Sequence, residues 1–158
     1  MDSGDLEREK GITIVSKVTS IAHRQHVVNI VDTPGHQDFG GQVERALSLV
    51  DGVLLVVCAT EGIMRQTRFV LEKALARGLR PLVFINKVDR DTANVTETEN
   101  AVFDLFCAMT QCEKTLDYAT LYGSGRAGFA TRDRAGLAAR PQGMTELLDA
   151  LLERVPPP

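Results

Sequence analysis

The sequence predicts an α/β domain: a mainly parallel sheet with helices on both faces and an antiparallel hairpin at one edge. Short apolar runs alternate with stretches of helical periodicity, and that alternation demands crossover connections and therefore parallel strands. The runs Val27–Val31, Val53–Ala59 and Pro81–Ile85 are apolar enough to be covered on both sides. Two of the runs end in polar turns, Asp32-Thr33-Pro34-Gly35-His36 and Asn86-Lys87-Val88-Asp89, at the carboxyl rim where open α/β sheets bind ligands.

Taken in order, the polar stretch Asp2 to Lys10 leads into Gly11–Ile21, which is β-branched through most of its length and reads as a strand. His23-Arg24-Gln25-His26 turns the chain directly into Val27–Val31, so these two strands form a hairpin. Val43, Ala46, Leu47 and Val50 share one helical face, and Gly40-Gly41 ahead of them permits a loop that can rearrange. Val53–Ala59 belongs in the middle of a covered sheet. The next helix, about Arg65 to Arg77, buries Val70, Leu71, Ala74 and Leu75 and stops at Gly78. After Pro81–Ile85, Thr96-Glu97-Thr98-Glu99 has the spacing of a capping box, and Val102, Phe103, Phe106 and Met109 continue as a stripe. Leu121-Tyr122 reads as a short last strand. Met144, Leu147, Leu148, Leu151, Leu152 and Val155 form an amphipathic helix closed by Pro156–Pro158, as at the start of a linker. Gly123 to Gly143, with Arg126, Arg132, Arg134 and Arg140, is expected to be the least ordered part, a solvated basic loop or one that touches RNA phosphates.

The 158 residues are 44% hydrophobic and 25% charged, enough for one real core. A net charge of −3 gives no general attraction to nucleic acid. No apolar run approaches the roughly 20 residues that span a bilayer, and the acidic opening is unlike a signal peptide, so a cytoplasmic protein with no membrane partner is expected. Cys58, Cys107 and Cys112 lack metal or redox spacing and read as reduced, mostly packing thiols.

The two polar turns carry the chemistry. Asp32, at a strand's end and followed at Gly35 by a residue that lets a backbone N–H approach a phosphate, suits a phosphate-Mg²⁺ site, although a bare Asp-x-x-Gly is more often ordinary Asx-turn chemistry. Asn-Lys-x-Asp is more specific. The Asp89 carboxylate can accept from guanine's imino N–H and its exocyclic amine, where adenine offers an acceptor and no donor. The Lys87 stem would pack over the ring, and Asn86 would tie neighbouring loops together.

Together these residues resemble translational GTPases, most closely the BipA/TypA group of ribosome-associated GTPases. The resemblance runs from Met1-Asp2-Ser3 and Gly11-Ile12-Thr13-Ile14 through Asp32–His36, Asp38-Phe39-Gly40-Gly41 and Gln66-Thr67-Arg68-Phe69-Val70 to Asn86–Arg90 and Val102–Phe106. It implies a P-loop GTPase-type fold, with GTP and GDP as ligands, Mg²⁺ as cofactor and the ribosome as partner. On this resemblance Thr13 and Asp32 hold Mg²⁺, the Gly35 amide binds the γ-phosphate and His36 orients the attacking water. Asn86, Lys87, Asp89, Ser124 and Gly125 would bind the guanine base, with the Gly125 amide donating to its carbonyl.

Two departures stand against the family pattern. Gly123-Ser124-Gly125-Arg126 replaces a Ser-Ala run, adding backbone freedom. No Gly-x-x-x-x-Gly-Lys-Ser/Thr occurs in these residues, so residues 1–158 read as a partial GTP-binding domain whose first strand and P-loop are missing. Two charge-assisted bonds from Asp89, at about 1.5 to 3 kcal/mol each, would support millimolar binding at best. A nucleotide-incompetent remnant that acts as an interaction module is the alternative reading. In such a chain either the strand ending at Asp32 pairs directly with the one ending at Ala59, or residues 1–158 are not expected to be stable by themselves.

Overall fold

The computed structural model describes residues 17–33, 40–109, 117–139 and 142–158. They fall into two compact units, Met1–Val50 and Asp51–Pro158. In the first, β1 (Lys17–His23) and β2 (His26–Asp32) form the expected antiparallel hairpin, in register from His23 opposite His26 to Lys17 opposite Asp32. Arg24 takes the left-handed conformation, φ 54°, that a two-residue hairpin turn demands. Ser20 donates to Asn29 Oδ1 across the ladder at 2.6 Å. Helix α1 (Gly40–Leu47) buries Val43, Ala46 and Leu47, three of the four residues of the expected stripe. Val50 lies past its end, and Gly40-Gly41 open the helix instead of forming a loop.

The second unit holds a four-stranded sheet in the order β3 (Val53–Cys58), β4 (Pro81–Asn86), β5 (Ala119–Ser124), β6 (Phe129–Thr131). The first three strands are parallel, and β6 runs antiparallel at the edge. On one face Leu55, Val57, Val83, Ile85 and Tyr122 pack with Leu71 of α2 (Arg65–Ala76) and Val102, Leu105 and Phe106 of α3 (Val95–Met109). On the other, Leu82, Phe84, Leu121 and Ala130 meet Ala150, Leu147 and Leu151 of α4 (Thr145–Arg154). The alternation of side chains along each strand sends successive residues into these two cores, which is why β4 is buried almost throughout.

Several expectations need correction. Among the described residues β2 pairs with β1 in the first unit, and β3 with β4 in the second. Strand β2 is not covered on both faces, since Val27 and Ile30 are 69% and 40% exposed. Strand β3 is not covered on both faces throughout, since Val56 is 51% exposed. Beyond β5 the chain is no irregular loop. The Gly128 amide bonds Ser124 O at 2.8 Å, which turns the chain back into β6, and Phe129 and Ala130 are buried. A 3₁₀ turn at Ala135–Ala139 comes next. Arg132 pairs with Glu153 at 2.7 Å and Arg134 with Glu99, so two of the four arginines are engaged by carboxylates. Arg140 lies outside the described residues.

Helix ends follow local chemistry. Gly78, at φ 72°, closes α2 with bonds from Gly78 N to Leu75 O (2.9 Å) and from Leu79 N to Ala74 O (3.1 Å), a Schellman pair that needs a left-handed residue. The capping box of α3 is not Thr96 with Glu99. Asn94 Oδ1 accepts from the Glu97 amide at 3.1 Å, and Asn94 Nδ2 donates to Glu97 Oε2 at 2.7 Å. Asn94 wins because its own amide is anchored on Ala59 O at 2.8 Å, which fixes the helix start two residues earlier. Asn94→Ala should therefore cost about 1 kcal/mol in chemical denaturation; an unchanged midpoint would show that the cap contributes nothing.

Candidate functional site

Strands β4 and β5 leave the sheet side by side, and their first residues beyond the ladder meet. Asn86 ends β4, and its Oδ1 accepts from the Lys87 amide at 2.8 Å and from the Gly125 amide at 3.0 Å. The Val88 amide reaches Gly123 O at 3.3 Å, and the Arg90 amide closes a turn on Lys87 O at 3.2 Å. The loop that carries Asn86, Lys87 and Asp89 is thus tied to the one that carries Ser124 and Gly125. Asp89 is half-buried in that turn, whereas Gly125 is exposed. Ser124 is almost fully buried, and its Oγ accepts from the Ala127 amide at 3.1 Å, so it shapes the second turn from below.

Lys87 sits at φ 63°, a left-handed conformation that costs a lysine about 1 kcal/mol or more. Its amide's bond to Asn86 Oδ1 and the Arg90 amide's bond to its carbonyl hold it there. Its ammonium lies 4.0 Å from the Glu61 carboxylate in the loop after β3. Glu61 was missed by sequence reasoning, although the adjacency of β3 and β4 places their carboxyl-end loops on one rim.

The same rim carries Cys58, in register with Asn86. Partial burial pushes its thiol up. The Thr60 hydroxyl 3.0 Å away, the Thr60 and Glu61 backbone and the Lys87 charge outweigh that and hold it below the ordinary thiol range. Cys58 is a free, half-buried thiol, and Cys107 is free and exposed.

Asp32 ends β2 half-buried, opposite Lys17, in the first unit. Thr13, Gly35 and His36 lie outside the described residues, as does Cys112. Of the expected residues, then, Asn86, Lys87, Asp89, Ser124 and Gly125 are brought together. Among the described residues no group of three or more His, Cys, Asp or Glu is arranged to hold a metal. A single hard carboxylate such as Asp32 does suit Mg²⁺, which takes one or two carboxylates and fills its remaining sites from phosphate and water.

The family model for the elongation factor Tu GTP binding domain matches residues 1–157. The chain belongs to that family. Across all 158 residues it is 52% identical to the large ribosomal subunit assembly factor BipA of Synechocystis and 50% identical to that of Escherichia coli K12. In each case it spans 26% of the relative's length. A solved structure of translation elongation factor SelB from Methanococcus maripaludis, in complex with the GTP analogue GppNHp, superposes with a TM-score of 0.70. That match covers 92% of this chain and 30% of SelB at 21% identity, and it shows the shared fold. The paired turns after β4 and β5 are accordingly described within an EF-Tu-type GTP-binding domain.

Two glycines of the second turn differ in what they allow. A Cβ on Gly123 would collide with the Phe129 carbonyl oxygen and press on Ala130 Cα and Phe84 at 3.0 Å. A Cβ on Gly125 would meet only the Asn86 amide group, at 3.8 Å. Gly123→Ala should destabilise by about 1–3 kcal/mol. Gly125→Ala should fold as well as the parent chain or better, by up to about 1 kcal/mol, because it narrows the unfolded ensemble. Comparing the two by denaturation checks both, and equal losses would refute the distinction.

Proposed function

We propose that this chain is the guanine-nucleotide-binding and GTP-hydrolysing part of a cytoplasmic, ribosome-associated translational GTPase of the BipA/TypA type. The observation that carries this reading is the bond between Asn86 and the Gly125 amide, which joins an Asn-Lys-x-Asp loop to a Ser-Gly turn on one rim. Such a pair is suited to read one planar base. The Asp89 carboxylate takes guanine's two donors, the Lys87 stem lies over the ring, and the second turn supplies an amide to the carbonyl. In this structure the Gly125 N–H is held by Asn86, so its use by a base requires that bond to be shared or exchanged.

The phosphate end belongs to Thr13, Asp32, Gly35 and His36. Asp32 and the Thr13 hydroxyl would hold Mg²⁺, which supplies charge neutralisation on the β- and γ-phosphates when bound. The Gly35 amide would bind the γ-phosphate, and His36 would orient water for in-line attack. Phosphoryl transfer asks for positioning and electrostatics more than for covalent chemistry, so a histidine of this kind suffices. Support for the ribosomal role is the match along the whole chain to factors named for assembly of the large ribosomal subunit.

The experiment is a titration of the chain with GDP and ADP, read by amide chemical shifts. GDP should move the amides of residues 86–89 and 124–126 with an affinity in the millimolar range, and ADP should not. Asp89→Asn should abolish the GDP preference and favour the xanthine nucleotide, whose 2-oxo group accepts where guanine's amine donates. Equal responses to GDP and ADP, or no response up to on the order of 10 mM, would sink the reading and leave an interaction module.

A further inference from the structure

The Tyr122 hydroxyl donates to Glu99 Oε1, and Arg134 donates to Oε2 of the same carboxylate and to the Thr96 hydroxyl. Tyr122 is 7% exposed within the core between the sheet and α3. Burial first, and then the Glu99 bond and charge, drive its phenol well above the ordinary tyrosine range, so it stays a neutral donor at every physiological pH. One carboxylate of α3 thereby joins β5 to the segment beyond β6.

The place of Tyr122 along β5 gives the cluster its meaning. Tyr122 opposite Ile85 is the last register pair between β5 and β4, and opposite Thr131 it opens the ladder to β6. Two residues on, Ser124 points to the same face and the base-reading turn begins. Past Tyr122 the strand is tied to the β4 side by the bonds from Val88 to Gly123 and from Gly125 to Asn86. The tyrosine anchor therefore sets the point and direction at which β5 leaves the sheet.

We infer that Glu99, acting through Tyr122 and held by Arg134, is a positioning residue for the guanine pocket, fixing where the Gly125 amide stands. This rests on the guanine-reading function proposed above and extends it to three residues that touch no base.

The test uses Tyr122→Phe, Glu99→Gln and Glu99→Ala in the whole chain, read first without nucleotide. Tyr122→Phe should raise hydrogen exchange of the Gly125 and Ala127 amides about tenfold while the β4 amides Val83–Ile85 keep their protection. Glu99→Gln, which keeps an acceptor for the tyrosine and loses the charge, should restore part of what Glu99→Ala loses. A uniform rise through β4 and β5 would mean that the cluster only adds stability and would overturn the inference, as would no change at Gly125. In the GDP titration the same variants should weaken binding about three- to tenfold. If exchange responds as expected and GDP binds neither the variants nor the parent, the placement of the Gly125 amide by Glu99 and Tyr122 stands, while the guanine pocket it was assigned to falls with the nucleotide reading.

Discussion

One side-chain oxygen holds the rim together. Asn86 Oδ1 accepts from the backbone beside it and from the backbone of the next strand's turn, and both donors are oriented by strands buried on two faces. Burial of β4 makes that oxygen immobile, and an immobile acceptor can keep Lys87 in a conformation it would not choose for itself. Remove the sheet, and Asn86 becomes an ordinary turn residue with nothing to join.

The cores on either side of the sheet serve this constraint. The helices α2 and α3 press on one face and α4 on the other, so β4 has little freedom to slide or tilt. Ion pairs fasten the segment beyond β6: Arg132 to Glu153 of α4, and Arg134 to Glu99 of α3. Both are partly exposed and add little stability each, but they fix where the chain runs after the base-reading turn. A region rich in glycine and arginine thereby becomes structured.

Much of this was legible in the residues. Short continuous apolar runs and helical stripes gave the alternation, and Gly78 gave the end of α2, because backbone geometry decides those features locally. The Asn-Lys-x-Asp loop declared its partners by being at a strand's end. Other features depended on contacts distant in sequence. The capping residue of α3 was set by Ala59 holding the Asn94 amide, 35 residues away, and no local pattern distinguishes Asn94-x-x-Glu97 from Thr96-x-x-Glu99. Strand β6 was hidden because Phe129 and Ala130 are too few to show a period. Glu61, Cys58 and the Glu99 cluster emerged only when strand order placed their loops and faces together.

The bond between the Tyr122 hydroxyl and a carboxylate also makes the domain its own optical reporter. The chain has no tryptophan and two tyrosines: Tyr122 lies near the rim, and Tyr118, just ahead of β5, stacks on Phe106 at 4.0 Å between centroids. A phenol hydrogen-bonded to a carboxylate is a weak emitter, because the excited ring passes its proton to the acceptor. The Tyr122 share of the emission should therefore be quenched in the folded protein and recover when β5 lets go of α3, so that loosening of that wall can be followed without any attached dye.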